Sequence, residues 1–334
     1  MDRYINAFLY LISQKWMMVF FKKRTILPYY HVVSNQYLPH ISELYPYKNV
    51  KQFEEDLDFY QKYYSEIAPD ELLNKNLNSN KFLISFDDGF QEIYTIVYPI
   101  LKRRGIKAIF FINPNFVDNN EGFYKSYISV IISKLKAPTI DLDLFYKISN
   151  ILNIEFISKD QFFTALKRIT YSKRQKLDEV LNLLSISKEE FLQSKPYISK
   201  KQIQEMISDG FYFGGHTMNH APLWELTLEE QKKEIIDSVE WLKTNFDIKY
   251  SYFAFPFTDE KISKKLLKEL FEYDSNLLLF GISDFKKDIS ERLIHRIATE
   301  YPKRKIAKEI VSKNLQHIYN IVTNNNKVKR QETI

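Results

Sequence analysis

The sequence of 334 residues predicts an α/β fold, and three observations carry that reading. Short apolar runs alternate with stretches whose apolar residues recur every three or four positions, as strands and helices do when they take turns along a chain. Hydrophobic residues make up 45% of the sequence, enough for a sizeable core. No internal repeat and no Gly/Ser-rich or Pro-rich linker divides the chain, so the alternation belongs to one continuous unit.

Taken in order, strands are expected at 26–33 (ILPYYHVV), 82–86 (FLISF), 108–112 (AIFFI), 211–214 (FYFG), 252–256 (YFAFP), 277–282 and 293–297. Helices are expected between them. Val50, Phe53, Leu57, Tyr60 and Tyr64 set one over 50–64, and another covers 90–103, stopping before Gly105. Ser199 with Gln202, and Thr227 with Glu230, have capping-box spacing and open helices at 199–209 and 227–245. A last helix spans 303–321, and the polar tail 323–334 is expected to fray. The stretch 118–198 holds several helical patterns and no strand. It reads as a helical insertion into the α/β domain of residues 25–322, lying beside the functional site rather than forming it.

The first 24 residues are amphipathic. Helical spacing places Ile5, Phe8, Leu9, Ile12, Trp16, Val19 and Phe20 on one broad face, followed by the cluster Lys22-Lys23-Arg24. Ser13, Gln14 and Lys15 interrupt the apolar run, and a spanning helix needs about 20 apolar residues. No small-residue cleavage site marks a signal peptide. Two readings stay open: a helix docked on the core, or one lying on a membrane surface.

Charge and composition exclude several classes. The net charge is +6, but the basic residues are dispersed and not interleaved with aromatics, so no nucleic-acid partner is expected. There is no cysteine, which rules out disulfides, thiolate nucleophiles and thiolate metal sites. Any metal must be held by histidines and carboxylates.

Two short stretches carry such groups. In "SFDDGF", residues 85–90, Asp87 and Asp88 sit side by side after an apolar run. Adjacent side chains point to opposite faces of a strand, so both acids can serve one site only where the strand has ended and the chain turns. Gly89 permits that turn. In "GGHTMNH", residues 214–220, two of the six histidines stand four apart. On a helical turn that spacing puts both imidazoles on one face, within reach of one ion. Two histidines and a carboxylate suit Zn²⁺ or another divalent ion such as Co²⁺. With Asp88 as the third ligand, Asp87 is left to act as a base.

These motifs resemble those of the polysaccharide deacetylases, the carbohydrate esterase family 4 proteins with a NodB-homology domain. "SFDDG" matches the family's T/S-F-D-D-G motif and "HTMNH" its H-S/T-x-x-H motif. The resemblance covers roughly residues 26–115 and 196–300. It implies a distorted (β/α)7 barrel, usually with zinc, that removes N-acetyl groups from amino sugars of a glycan. Carried over residue by residue, it makes Asp87 the catalytic base and Asp88, His216 and His220 the metal ligands.

Later motifs match more loosely. Where the family has R-x-P-Y/F, this chain reads "AFPF", with Ala254 in place of the arginine that orients the base. Phe257 keeps the position whose backbone N–H serves the oxyanion, and Arg292 or Arg296 is the candidate replacement guanidinium. "RLIHRIA", 292–298, offers His295 as the family's L-x-H proton donor. "PYYHVVS" resembles the Y-H-x-V opening of one branch and makes His31 a candidate for lining the same mouth.

The expected partner is an N-acetylated carbohydrate, as polymer or as a lipid-linked or nucleotide-linked precursor. The expected location is the cytoplasm, with peripheral contact to the inner membrane surface through residues 1–24. Two further readings accompany the deacetylase one. The missing arginine would suit a catalytically silent glycan-binding protein on the same fold, and the same ion and base would serve an O-acetyl esterase.

Overall fold

The computed structural model describes residues 2–21, 24–73 and 80–332. Eight parallel strands form one sheet: β1 (Pro28–Tyr30), β2 (Ile84–Phe86), β3 (Ala108–Ile112), β4 (Tyr212–Gly215), β5 (Ser251–Ala254), β6 (Leu277–Gly281), β7 (Leu293–His295) and β8 (Ile297–Ala298). Their order is β8-β1-β2-β3-β4-β5-β6-β7. β7 and β8 are one stretch of chain interrupted at Arg296. His295 pairs with Gly281 of β6, and Ile297 pairs with Pro28 of β1. The stretch therefore bonds to both ends of the sheet and rolls it into a nearly closed barrel of seven staves, the fold that the motifs imply.

Parallel strands covered on both faces read as continuous apolar runs, which is why they are legible in the sequence. Alternation then sorts their side chains. Ile109, Phe111, Tyr252, Ala254, Leu278, Phe280 and Ile294 pack together as one layer. Tyr30, Phe86, Phe110 and Phe213 pack in the other, together with residues of the surrounding helices.

The N-terminal segment is broken rather than continuous. α1 (Asp2–Ile12) ends where the Ser13 hydroxyl donates to the Leu9 carbonyl, and a short turn leads to α2 (Met18–Phe21). Lys22 and Lys23 lie outside the described residues. α3 (Val50–Tyr63) opens on a capping box of Asn49 and Gln52. The helix expected at 90–103 begins as one wide turn, Ile93–Val97, before α4 (Tyr98–Arg104). Pro99, which has no N–H to give, stands at the junction.

The stretch read as an insertion lies between β3 and β4 and holds five α-helices, α5 (Tyr124–Leu135), α6 (Leu142–Leu152), α7 (Lys159–Lys167), α8 (Leu177–Leu183) and α9 (Lys188–Gln193). Ile128, Ile132, Phe145, Phe162 and Leu181 give it an apolar cluster distinct from that of the barrel. α10 (Lys200–Ser208) and α11 (Leu228–Phe246) carry the two predicted capping boxes. α12 (Lys264–Tyr273) is not among the expected helices. Ser263 caps it by accepting the Leu266 N–H, but leucine at the third position hides the capping-box signal.

α13 (Ile306–Val322) follows the last strand. The tail beyond it is not frayed as expected. Lys287 donates its N–H to Asn326 and accepts from Val328, and the buried Arg330 bonds Asp259 and Asp288. Buried ion pairs fix a polar segment that composition alone assigns to solvent. Its last two residues, 333–334, lie outside the described residues.

Candidate active site

The site forms where β2, β4, β5 and β8 end. After Phe86 the backbone turns left-handed at both Asp88 (φ 73°) and Gly89 (φ 69°). A side chain at Gly89 would also crowd Ile112 at 3.1 Å. This double turn swings both carboxylates to the same mouth, each almost fully buried.

The histidine segment is a loop and not the helical turn expected from its spacing. It leaves β4 at Gly215, whose position leaves no room for a Cβ against Ser238. Thr217 (φ 65°) and His220 (φ 53°) are both left-handed. The loop is held from two sides. The Asn113 amide donates to the His216 and Thr217 carbonyls. Glu234 of α11 accepts from the Met218 and Asn219 N–H groups.

The result brings Asp88, His216 and His220 together. Nε2 of His220 lies 3.0 Å and Nε2 of His216 lies 3.4 Å from Oδ1 of Asp88. His216 donates Nδ1–H to the Ala254 carbonyl at 2.8 Å, which leaves Nε2 as a lone pair facing the carboxylate. Burial pushes the His220 imidazole below its ordinary pKa, the neutral form that a ligand needs. Neither Asp88 oxygen has a hydrogen bond among the described residues, although both are buried. Three buried ligand atoms aimed at one another without protons to share fit a divalent cation.

Asp87 points to a different partner. Arg296, wholly buried, contacts its two carboxylate oxygens at 2.6 and 2.9 Å and the Ser85 hydroxyl at 3.1 Å. Its guanidinium also lies over the rings of Tyr29 and Phe111. Burial works to raise the pKa of Asp87, but the Arg296 guanidinium brings it below the usual carboxylate value. Of the two arginines considered as replacements, Arg296 reaches Asp87. Arg292 donates instead to the Asp274 and Ser275 carbonyls.

His31 is also at the mouth. Its Nδ1 lies 2.8 Å from the buried Glu300 carboxylate, and its ring stacks on Tyr45 at 3.8 Å. Burial works to lower its pKa, but Glu300 raises it to about 9. His31, Tyr45, Asp87, His216, His220, Phe257 and Glu300 line one cavity of about 290 Å³. Phe257 is left-handed (φ 59°), and its N–H has no partner among the described residues.

His295 departs from the expectation, since it does not line this cavity. Alternation turns it to the face opposite Arg296. There its Nε2 lies 3.0 Å from Asp288, and its Nδ1 accepts the Ser283 N–H at 3.3 Å. Arg330 neutralises the same group of acids, Asp259 and Asp288. None of these groups lines the cavity at the mouth; Asp288 and His295 line a separate one.

Sequence reasoning missed three groups. Glu300 follows the last strand, where any acid lies near the mouth, so the position was a usable signal. Tyr45 comes from an irregular loop with no local signature. Phe123 belongs to the insertion, yet its ring lies 4.2 Å from that of His220 and 6.3 Å from that of Phe257. The insertion, expected beside the site, thus brings one ring against a candidate ligand.

Comparison with known proteins bears on the family and the fold. The polysaccharide deacetylase family model matches residues 74–276, more than half of the chain, and the chain belongs to that family. Among solved structures, it is similar to a Streptococcus pyogenes deacetylase, PplD, in complex with acetate. That match has 15% identity and a TM-score of 0.54, covering 88% of this chain and 97% of the other. It is also similar to IcaB from Ammonifex degensii, with 16% identity and a TM-score of 0.52, covering 87% and 97%. At these identities the likeness bears on the fold. No curated relative matches the sequence significantly. Family membership supports deacetylase activity, that is, hydrolysis of an amide.

Proposed function

We propose that this chain removes the acetyl group from an N-acetylated amino sugar of a glycan or glycan precursor, with a divalent metal, Zn²⁺ or Co²⁺, as cofactor. The observation that carries the proposal is the convergence of Asp88, His216 and His220 on one point beside an Asp87 that Arg296 keeps charged.

Asp88, His216 and His220 would hold the ion, which when bound supplies Lewis-acid polarisation and a water of lowered pKa. The protein's own groups do the rest. Asp87, oriented by two hydrogen bonds from Arg296, accepts the proton of water as its oxygen bonds to the acyl carbon. The free Phe257 N–H meets the charge that develops on the acyl oxygen. His31, cationic beside Glu300, gives its proton to the sugar nitrogen as the C–N bond breaks. Acetate and a free amine result. In this reading His31 takes the part that the motif suggested for His295.

The test is acetate release from N-acetylglucosamine oligomers by protein loaded with Zn²⁺, beside chelated protein and beside an O-acetyl analogue. Metal-dependent release from the amide supports the reading. Release from the ester alone would make the protein an esterase, and sugar binding without release would make it a lectin-like module.

A further inference from the structure

We infer that the outer face of α1 and α2 docks on an anionic lipid bilayer, with the mouth of the active site beside the lipid headgroups. The face is apolar where a surface helix is ordinarily polar. Tyr4, Phe8 and Leu11 follow one another at helical spacing and are 83%, 60% and 71% exposed. Trp16, Val19 and Phe20 continue the exposure past the break at Ser13. The inward side is already satisfied. Met18 is buried in the core, Met17 and Phe21 pack against it, and α1 lies along α13. So many exposed large apolar side chains in one short segment of a folded chain mark a surface that meets another phase or partner.

Charge selects the occupant. Between Asp2 and Glu43 the sequence holds no acidic residue, whereas Arg3, Lys15, Lys22, Lys23 and Arg24 are basic. Lys15 is exposed immediately before Trp16. Aromatic and aliphatic side chains flanked by lysines suit a headgroup layer with negative charge. Among the described residues no helix is long and apolar enough to cross a membrane, so contact would be peripheral.

The face is also placed next to the site. The Tyr10 hydroxyl accepts the Lys305 N–H at 3.1 Å, and the Arg304 guanidinium lies 4.9 Å from both the Tyr10 and Tyr301 rings. Tyr301 lines the active-site cavity. One arginine thus connects the docking helix to the rim. Where the deacetylase reading holds, and resting on it, a glycan carried on a lipid is the substrate form that this placement favours.

The test is sedimentation of the full chain with vesicles of phosphatidylcholine and phosphatidylglycerol in equal parts. The expected result is binding that weakens about tenfold in Phe8→Glu/Leu11→Glu and falls as salt rises. The circular dichroism spectrum and acetate release from a soluble substrate should not change in that variant. A second readout avoids acidic substitutions. Brominated lipid should quench tryptophan fluorescence in the wild type but not in Trp16→Phe. No binding by the wild type, equal binding by the Glu variant, or equal binding to pure phosphatidylcholine would overturn the inference. So would a wild-type dimer in solution that the Glu variant dissociates, because the face would then belong to a second copy. Vesicle binding and turnover of a soluble substrate can fail separately, so neither result stands in for the other.

Discussion

Arg296 and Asp87 lie 209 positions apart in the chain and meet inside the barrel through contacts of 2.6 and 2.9 Å. Removing one partner of a buried, bidentate pair strands the other, at a cost of about 3–5 kcal/mol. Arg296→Met is therefore expected to lower stability by about that amount in urea denaturation. Arg296→Lys keeps a charge but cannot grip both oxygens, so it should be milder in stability and still slow in acetate release. An Arg296→Lys protein with unchanged turnover would remove the guanidinium from the account.

Asp87→Asn separates the base from the ligands. Acetate release should fall by about 10²–10⁴, the usual contribution of a positioned base. Zn²⁺ binding, followed by calorimetry, should persist, because Asp88, His216 and His220 are intact. Loss of metal binding together with activity would instead place Asp87 among the ligands.

The ligand set predicts linkage between metal and stability. Zn²⁺ at about a hundredfold excess over its Kd should stabilise the fold by about 2.7 kcal/mol. A rise in the thermal midpoint on adding Zn²⁺ to chelated protein reads this out, and His220→Gln should shrink it. If His220→Gln shows the full rise, the ion binds elsewhere.

The His31–Glu300 pair predicts a pH dependence with a definite sign. The folded pKa, about 9, lies above the ordinary value of 6.5, so the imidazolium persists well past neutrality. As proton donor it should fail as pH rises through about 9, giving the basic limb of the rate profile. The pair's contribution to stability is fully present below pH 6.5 and is lost over the same rise. Glu300→Gln should move the basic limb toward lower pH, and a limb that stays in place would acquit His31.

Much of the barrel was legible because buried parallel strands are nearly unbroken apolar runs, and two of the helices announce themselves by capping boxes. Asp87, Asp88, His216 and His220 were legible because each pair sits within one short segment. His295 and Arg296 show where local reading failed. Both were offered for the mouth, yet neighbours in an extended chain face opposite ways, and the pleat admits only Arg296. The tail failed for another reason. Its fixing contacts run from Arg330 to Asp259 and Asp288, over separations that no local pattern records. The loop geometry at Thr217 was hidden too, since a β-branched residue does not advertise a left-handed backbone.

A ring of strands has no first or last member, so a guanidinium can be delivered to its centre from any stave. Here the position taken by Ala254 is vacant of charge, and the final stave supplies what the fifth does not. Loss of a motif residue in such a ring need not mean loss of the group it carried. Relatives that read as degenerate by residue order deserve to be judged by which side chains converge at the hub.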